Sequence, residues 1–170
     1  MAAMDIKRLS LAEAEAFIEH LLRLSTDDRR LRFSGIVSDD FIVRHARTFL
    51  SQGTVFGLFV DGILRGVCQM ISSPSPRSNG DSQHFEIALS IEHPWQKLGF
   101  GAALLAAAHD EAARLDAESL ILSCLSENIG IRRLATRFKA EMDVRQGLME
   151  ALIRIGGPAL GKNTPAAAGV

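Results

Sequence analysis

Cysteine is scarce in this chain of 170 residues: only Cys68 and Cys124 occur, and each lies inside an apolar segment. Two such cysteines cannot form the dense disulfide framework of a small secreted domain. We therefore expect both thiols to be free and buried, in a protein of a reducing compartment. A reactive cysteine is the less favoured alternative.

Long apolar runs and a charge imbalance are also missing. No run of about 18 apolar residues could span a bilayer, and the N-terminal MAAMDIKRLS lacks the charged and then apolar pattern of a signal peptide. The formal net charge is -1, so no global field favours nucleic acid or anionic lipid. We expect a cytoplasmic protein that binds neither nucleic acid nor a membrane.

The composition that remains is that of a globular protein, with 47% hydrophobic and 23% charged residues. The length suits one ordinary domain. Residues 157–170 show no periodicity and little charge, so we expect one domain over residues 1–156 followed by a loose C-terminal tail.

Residue patterns in the first half predict helices followed by a β-hairpin. Ser10 and Glu13 have capping-box spacing before an amphipathic helix, and Ser38 precedes a second helix. The charged segment TDDRRLRFSG between them is interpreted as a connection. Asp61-Gly62 predicts a tight hairpin between TVFGLFV and ILRGVCQMI, and the polar segment 72–83 is expected to be a mobile loop.

The second half alternates strands and helices. HFEIALSI and SLILSCLS are predicted strands with a helix between them, which favours a parallel pair with a right-handed crossover. NIGIRRLATRFKA is a predicted helix, and EMDVRQGLMEALIRI is interpreted as one last strand. Together these elements predict a mixed α/β domain.

A glycine-rich turn precedes the central helix, which has no Ser, Thr, Asp or Asn at its start. The turn matches neither a P-loop nor the G-x-G-x-x-G dinucleotide fingerprint, because the third glycine position is Leu104 and Pro94 interrupts the strand-to-helix turn. An uncapped helix start with Gly99, Gly101 and Lys97 nearby offers an anion site, most naturally for a pyrophosphate. The alternative is that the glycines only close a loop against a strand.

These residues resemble a known family. QKLGFG, Gln96 to Gly101, matches the Q/R-x-x-G-x-G/A signature of the GNAT superfamily of acyl-CoA-dependent N-acetyltransferases. FEIALSIEHPWQKLGFGAALL is similar to the family's central motif and SENIGIRRLATRF to its second motif. The resemblance covers roughly Asp5 to Ile155. LSTDDRRLRF and LATRF resemble the bacterial domains that acetylate protein lysines.

The resemblance implies a fold and a cofactor site. It implies a mixed, mostly antiparallel sheet of six to seven strands, splayed between strands 4 and 5 and flanked by about four helices. Acetyl-CoA would lie in the splay, with Asn128 near the thioester, although Asn128 could equally serve only as a helix cap. The backbone expected to hold the pantetheine is that of Leu89, Ser90 and Ile91, and the backbone expected to hold the pyrophosphate is that of Gln96, Lys97, Leu98, Gly99, Phe100, Gly101 and Ala102. Leu89 and Ile91 also fit a purely structural core role.

Acetyl transfer to an amine needs a neutral nucleophile and therefore a proton acceptor. On the strand HFEIALSIE, Glu86 shares one face with His84, Ala88, Ser90 and Glu92. Partial burial there would raise its pKa toward a useful value, and the resemblance places the general base of related lysine acetyltransferases at Glu86. The alternative is a hydrogen-bonded structural carboxylate. Backbone N–H groups near Leu89 are expected to polarise the thioester carbonyl.

The chain departs from the family at one catalytic position. Many members use a tyrosine of the second-motif helix to protonate the leaving thiolate, but this chain has no tyrosine, and Ala135 stands there. Water, a hydroxyl such as Ser126, or unaided departure would have to replace it. The leading hypothesis is direct acetyl transfer from acetyl-CoA to a primary amine on a protein or a small molecule. The alternative is a catalytically weak acyl-CoA-binding or sensing domain.

Two further expectations concern metals and assembly. His20, His45 and His109 lie on helical patterns without partners at ligand spacing, so no metal site is expected. Dimers are common in the family, and the resemblance leaves a homodimer open.

Overall fold

A computed structural model of the chain describes residues 4–74 and 82–156. Most of the predicted loop 72–83 and the whole predicted tail 157–170 therefore lie outside the described residues. Within the described ranges, no helix is both long enough and apolar enough to cross a membrane.

One seven-stranded sheet forms the centre of the molecule, with the strand order β1-β2-β3-β4-β5-β7-β6. Neighbouring strands are antiparallel except for β4 and β5, which are parallel as predicted. The strands are β1 (Met4–Arg8), β2 (Thr54–Val60), β3 (Ile63–Ser73), β4 (His84–Ile91), β5 (Ser119–Leu125), β6 (Glu141–Arg145) and β7 (Leu148–Arg154).

Helices cover both faces of this sheet. The described residues form α1 (Ala14–Arg23), α2 (Thr26–Phe33), α3 (Asp39–Gln52), α4 (Phe100–Arg114) and α5 (Ile129–Arg137). One core lies between α1, α3 and the sheet and includes Phe17, Ile42 and Val67. The other lies against α4 and includes Cys68 and Leu104. Because Val67 and Cys68 are adjacent on β3, the two cores lie on opposite faces.

Helix α2 corrects the interpretation of TDDRRLRFSG as a connection, and it brings the helices to five where about four were expected. The Ser25 side chain accepts a hydrogen bond from the Asp28 N–H at 3.1 Å and so caps this helix. Acidic residues fill its first turn and arginines its last, which complements the helix dipole. The segment has too few apolar residues to show a helical period, so the sequence pattern did not indicate this helix.

The last predicted strand is in fact two strands. Gln146 and Gly147 join β6 to β7 in a tight hairpin with φ values of 51° and 80°, and Arg145 pairs with Leu148 across it. Two positive φ angles are typical of the turn that matches strand twist, although Asn-Gly and Asp-Gly are its usual sequences. The predicted Asp61-Gly62 hairpin has the same geometry, with φ values of 49° and 77°.

Strands β4 and β5 stay together over only part of their length. Their pairing joins residues 84–87 to residues 119–122. Beyond that point, residues 88–91 pair only with β3, and residues 123–125 pair only with β7. The sheet is thus splayed between its fourth and fifth strands, as expected, and a cleft opens there.

Candidate functional site

The splay opens into a cleft of about 1000 Å³. Its walls come from the end of β4, the turn before α4, the start of α5 and one side of α2. Of the residues expected to hold the cofactor, those that line it are Leu89, Ser90, Ile91, Gln96, Lys97, Gly99, Gly101, Ala102 and Asn128. Leu98 and Phe100, which were expected to take part, are not among the lining residues.

An unpaired strand edge forms one wall. The Glu92 N–H donates to the Arg65 carbonyl on the β3 side at 3.0 Å. Because peptide groups alternate along an antiparallel strand, the backbone groups of Leu89 and Ile91 point the other way, where β5 has diverged. A ligand with amide groups can therefore add to this edge in the manner of an extra strand.

The start of α4 forms the second wall. Gly99 is its N-terminal cap residue at φ 86°, and no side chain caps the helix, as expected. A Cβ on Gly99 would meet nothing within 4 Å, so its backbone angle is what favours glycine there, whereas a Cβ on Gly101 would lie 3.2 Å from Leu134 Cδ1. Because Gly99, Gly101 and Ala102 line the cleft, the free N–H groups and the positive end of the helix border it.

Two arginines of α5 add charge to this wall and were missed from the sequence. Arg133 and Arg137 line the same cleft as Lys97. They are four residues apart and so share one face of their helix. That spacing in NIGIRRLATRFKA was the available signal. Three cations and an uncapped helix start make this wall suitable for a doubly charged phosphate group.

Gln96 organises the turn with its side chain. Its amide nitrogen donates to Asp28 Oδ1 at 2.9 Å and to the Ile91 carbonyl at 3.0 Å. This ties the turn to α2 and to the end of β4. Because the Gln96 side chain occupies the Ile91 carbonyl, the Ile91 N–H and the backbone groups of Leu89 are the ones that remain for a ligand on this edge.

Asn128 acts as a helix cap, whatever else it does. Its Oδ1 accepts a hydrogen bond from the Ile131 N–H at 3.1 Å, at the start of α5. The side chain also lines the cleft. Any contact with a cofactor would therefore use its NH₂ group.

A buried polar network stands behind Ser90 and includes His20, for which the sequence showed no partner at metal-ligand spacing. His20 Nε2 lies 2.9 Å from Ser90 Oγ, and His20 Nδ1 lies 3.3 Å from Glu92 Oε1. Arg23 and Arg65 each donate to the Glu92 carboxylate at 2.8 Å. The strand alternation that places Ser90 and Glu92 on one face was the sequence signal for this network. His20 joins it because it lies on the buried face of α1.

The charges in this network fix its hydrogen bonding. Burial by itself would raise the pKa of Glu92, but the hydrogen bonds from His20, Arg23 and Arg65 outweigh it and lower that pKa to about 2. Burial lowers the pKa of His20. A neutral His20 must then donate from Nδ1 to the Glu92 carboxylate and accept the Ser90 hydroxyl at Nε2. The Ser90 oxygen keeps its lone pairs for the cleft.

A second cleft, of about 800 Å³, holds Glu86 together with Arg32, Asp143, Arg145 and Glu150. Glu86 is exposed, so the partial burial expected for it is wrong. The neighbouring helices cover Ser90 and Glu92 near the end of β4, but no described element covers the strand at Glu86.

Neither the tyrosine position nor the cysteines offer a reactive group. Ala135 is fully buried in the core beneath α5, and Ser126 is not among the residues that line either cleft. Both cysteines are free and buried, as predicted. Burial raises the pKa of Cys68 to about 12 and also raises that of Cys124. Both thiols are therefore protonated and weak nucleophiles at neutral pH. Among the described residues, no group of three or more His, Cys, Asp or Glu could hold a metal ion.

Solved structures share this fold, whereas no protein-family model and no curated protein matches the chain. The GNAT domain of S. lividans PAT is 12% identical with a TM-score of 0.74, covering 90% of this chain and 96% of that one. A Brucella melitensis ribosomal-protein-alanine N-acetyltransferase is 24% identical with a TM-score of 0.63, covering 85% and 96%. The putative acetyltransferase yncA from Salmonella typhimurium, solved with acetyl-CoA, is 19% identical with a TM-score of 0.62, covering 97% and 99%. The chain thus has the GNAT acetyltransferase fold, as the sequence resemblance implied.

Proposed function

We propose that the chain is an acetyl-CoA-dependent N-acetyltransferase that moves the acetyl group directly from the thioester to a primary amine. One observation carries the proposal: the splayed, unpaired edge of β4 and the uncapped start of α4 line the same cleft. The first suits the amides of pantetheine and the second suits a pyrophosphate, and coenzyme A joins these two groups in one molecule.

The residues present suit the pyrophosphate, the pantetheine arm and the thioester of this co-substrate. The pyrophosphate would meet the backbone of Gly99 and Gly101, with Lys97, Arg133 and Arg137 close by. The pantetheine arm would follow Leu89 and Ile91 toward the point where β4 and β5 rejoin. The thioester would then reach the region between the two clefts, where an acceptor can approach from the Glu86 side.

Glu86 is the proposed general base. A lysine-like amine has a pKa of about 10.4, so its deprotonation costs about 4–5 kcal/mol at pH 7. An exposed carboxylate in the acceptor cleft can remove that proton directly or through water. The amine nitrogen then bonds to the thioester carbon, the Leu89 N–H stabilises the developing oxyanion, the C–S bond breaks, and the new amide nitrogen releases its second proton to water.

The leaving thiolate needs no protein acid in this scheme. Ala135 offers no proton, and Ser126 is not among the lining residues. A thiol pKa near 8.5 makes the thiolate a tolerable leaving group at neutral pH, with solvent as the final proton donor.

Structural neighbours support an amine as the acceptor. One is a ribosomal-protein-alanine N-acetyltransferase, and another is an aminoglycoside N-acetyltransferase solved with coenzyme A, at 15% identity and a TM-score of 0.68. The two acceptors differ widely in size, so we propose only the amine as their shared chemistry for this chain.

Titration calorimetry with acetyl-CoA, ATP and NAD tests the first half of the proposal. We expect acetyl-CoA to bind and the other two to bind weakly or not at all. Only acetyl-CoA has both pantetheine amides for the edge of β4 and a pyrophosphate for the start of α4. Affinity for ATP or NAD without affinity for acetyl-CoA would contradict it.

A mass-spectrometric screen with labelled acetyl-CoA tests the second half. It would present proteins, polyamines, amino acids and aminoglycosides as acceptors, and we expect an acetylated amine in at least one class. Tight binding of acetyl-CoA without transfer to any amine would instead favour the acyl-CoA-binding or sensing domain.

A further inference from the structure

Arg32 lies where the two clefts meet. It belongs to the last turn of α2, and it is the only described residue that lines both the cleft of about 1000 Å³ and the cleft of about 800 Å³. If the proposed function holds, the first cleft contains the acyl donor and the second admits the acceptor. The Arg32 guanidinium then borders the reacting groups.

This guanidinium has no anionic partner in the described parts of the chain. No carboxylate there lies within ion-pair distance of it, and its Nε is buried without a hydrogen bond. Burial lowers the pKa of Arg32 to about 10, while the Glu86 carboxylate opposes this shift, so the group remains cationic at neutral pH. A half-buried cation without a direct ion pair is costly, and a ligand anion in contact with it would relieve that cost.

A neutral side chain holds the guanidinium in place. Arg32 Nη2 donates to Oε1 of Gln69, which is fully buried on β3. Gln69 Nε2 lies 3.0 Å from His45 Nε2 on α3, and burial lowers the pKa of His45. A neutral His45 accepts from the Gln69 NH₂ group, which turns the amide oxygen toward Arg32. The chain thus orients the cation without neutralising it.

Other arginines of the same region differ from Arg32 because they form ion pairs. Each of the following side chains lies within 4 Å of a carboxylate: Arg23, Arg29, Arg30, Arg65 and Arg145. Arg145 is the most informative of them, because it lines the same second cleft but is paired with Asp143 at 2.9 Å and is largely exposed.

We propose that Arg32 binds a carboxylate group carried by one of the two reactants. The inference rests on the proposed acyl transfer and adds a substrate class to it. The carboxylate could belong to the amine acceptor, as in an amino acid, or to the acyl group, as in a dicarboxylic acyl-CoA. A planar guanidinium suits bidentate binding of a carboxylate. Glu86 in the same cleft would meet the ammonium group of an amino acid, so the two charges complement a zwitterion.

The experiment has two arms that distinguish these sources. In the acceptor arm, acetyl-CoA is the fixed donor. Each amino acid is compared with the amine that has the same side chain but no α-carboxylate. In the donor arm, the amine is fixed, and succinyl-CoA is compared with butyryl-CoA, which has the same chain length without the charge. We expect the carboxylate-bearing member of one arm to be favoured about 10- to 100-fold in kcat/KM, as for a hydrogen bond to a charged group.

Variants then assign the preference to Arg32. Arg32→Met should bring the ratio close to one, and Arg32→Lys should restore part of it, because lysine keeps the charge but loses the planar fork. Arg30→Met, which removes an arginine of the same helix that lines neither cleft, should leave the ratio unchanged. Gln69→Leu keeps the guanidinium but removes its orienting oxygen, and it should lower the ratio while thermal melting shows that the protein still folds.

Two results would overturn the inference: a ratio near one in both arms for the unaltered protein, or a ratio that survives Arg32→Met. If no acceptor is turned over, calorimetric affinities for succinyl-CoA against butyryl-CoA, and for amino acids against their amines, decide the same question. Failure of acetyl-CoA to bind at all would overturn the proposed function itself, which separates the two failures.

Discussion

At the scale of single residues, Glu92 is a buried charge with three side-chain partners. Its side chain is 6% exposed and is held by Arg23, Arg65 and His20. A buried carboxylate with three partners leaves buried cations behind when its charge is removed, and such losses are large even where the intact pair adds little net stability.

Glu92→Gln should therefore lower the free energy of unfolding by about 3–5 kcal/mol. Urea denaturation followed by circular dichroism measures this. Glu19→Gln is the matched control, because Glu19 also contacts Arg23, at 3.5 Å, but is 69% exposed. It should change stability by less than about 0.5 kcal/mol. Equal effects of the two substitutions would contradict the burial argument.

His20 should make the protein sensitive to mild acid. Burial lowers its pKa in the folded state, whereas the unfolded chain titrates near about 6.5. The unfolded state thus binds the proton first, and stability falls as the pH drops below about 6.5, at up to about 1.4 kcal/mol per pH unit for one proton. Glu92 contributes no slope there, because its pKa is lowered to about 2 and its stabilisation is lost only as pH falls from about 4.5 through that value.

His20→Asn should flatten the pH dependence between pH 7.5 and pH 5.5, read from urea midpoints at several pH values. His45 has a pKa lowered in the same direction, so some slope should persist until His45 is replaced as well. A slope untouched by both substitutions would show that other groups set the acid response.

Glu86→Gln addresses the proposed base. We expect kcat to fall by about 10²- to 10⁴-fold, most strongly at lower pH, where less of the amine is neutral, while affinity for acetyl-CoA stays nearly constant. Glu118→Gln serves as the control, since it removes an exposed carboxylate that lines neither cleft. Unchanged kinetics in Glu86→Gln would remove Glu86 from the mechanism.

At the scale of elements, the start of α4 lends itself to a selective test. Gly101→Asp would place a side chain and a negative charge in the wall proposed for the pyrophosphate, and it should weaken acetyl-CoA binding by roughly tenfold or more in calorimetry. An acidic residue in the first helical turn favours the helix itself. The variant should therefore lose affinity without a comparable loss of stability. The tight contact of the new Cβ with Leu134 is the one source of destabilisation that we expect.

Gly35→Asp is the matched substitution for this test. A Cβ on Gly35 would meet nothing within 4 Å, and Gly35 is not among the residues lining either cleft. It adds the same charge elsewhere and should leave the affinity for acetyl-CoA intact. Equal losses in both variants would point to a general charge effect instead of a local one.

Elements with an apolar period and a usual cap or turn sequence could be predicted from the sequence, and those that lack one of these two signals could not. The capping box of Ser10 and Glu13 and the Asp61-Gly62 hairpin appear as predicted. Helix α2 was missed because a Ser25 cap and a favourable charge order, not an apolar stripe, define it. The β6–β7 hairpin was missed because Gln146-Gly147 is an unusual pair for its turn.

At the scale of the whole molecule, residues close in sequence formed the predictable part of the site. The signature from Gln96 to Gly101 and the end of β4 meet in one cleft, as the order of elements implied. The Ser90–His20 and Arg32–Gln69 contacts join positions 70 and 37 residues apart. Such pairs depend on how α1 and α2 cross the sheet, and a single sequence carries no direct signal for that packing.

The short pairing of β4 with β5 has a consequence for the motions of the molecule. Among the described residues, the backbone contacts that join the two halves of the sheet are the pairing of residues 84–87 with residues 119–122 and the hydrogen bond from the Glu118 N–H to the Gln83 carbonyl at 2.8 Å. A ligand seated in the splay would bridge the halves and oppose their separation. Acetyl-CoA should therefore slow hydrogen exchange of backbone amides on both sides of the opening, and at about 100 times its Kd it should stabilise the fold by about 2.7 kcal/mol. Slower exchange confined to the α4 turn would mean that the two halves of the sheet move as one body even without acetyl-CoA.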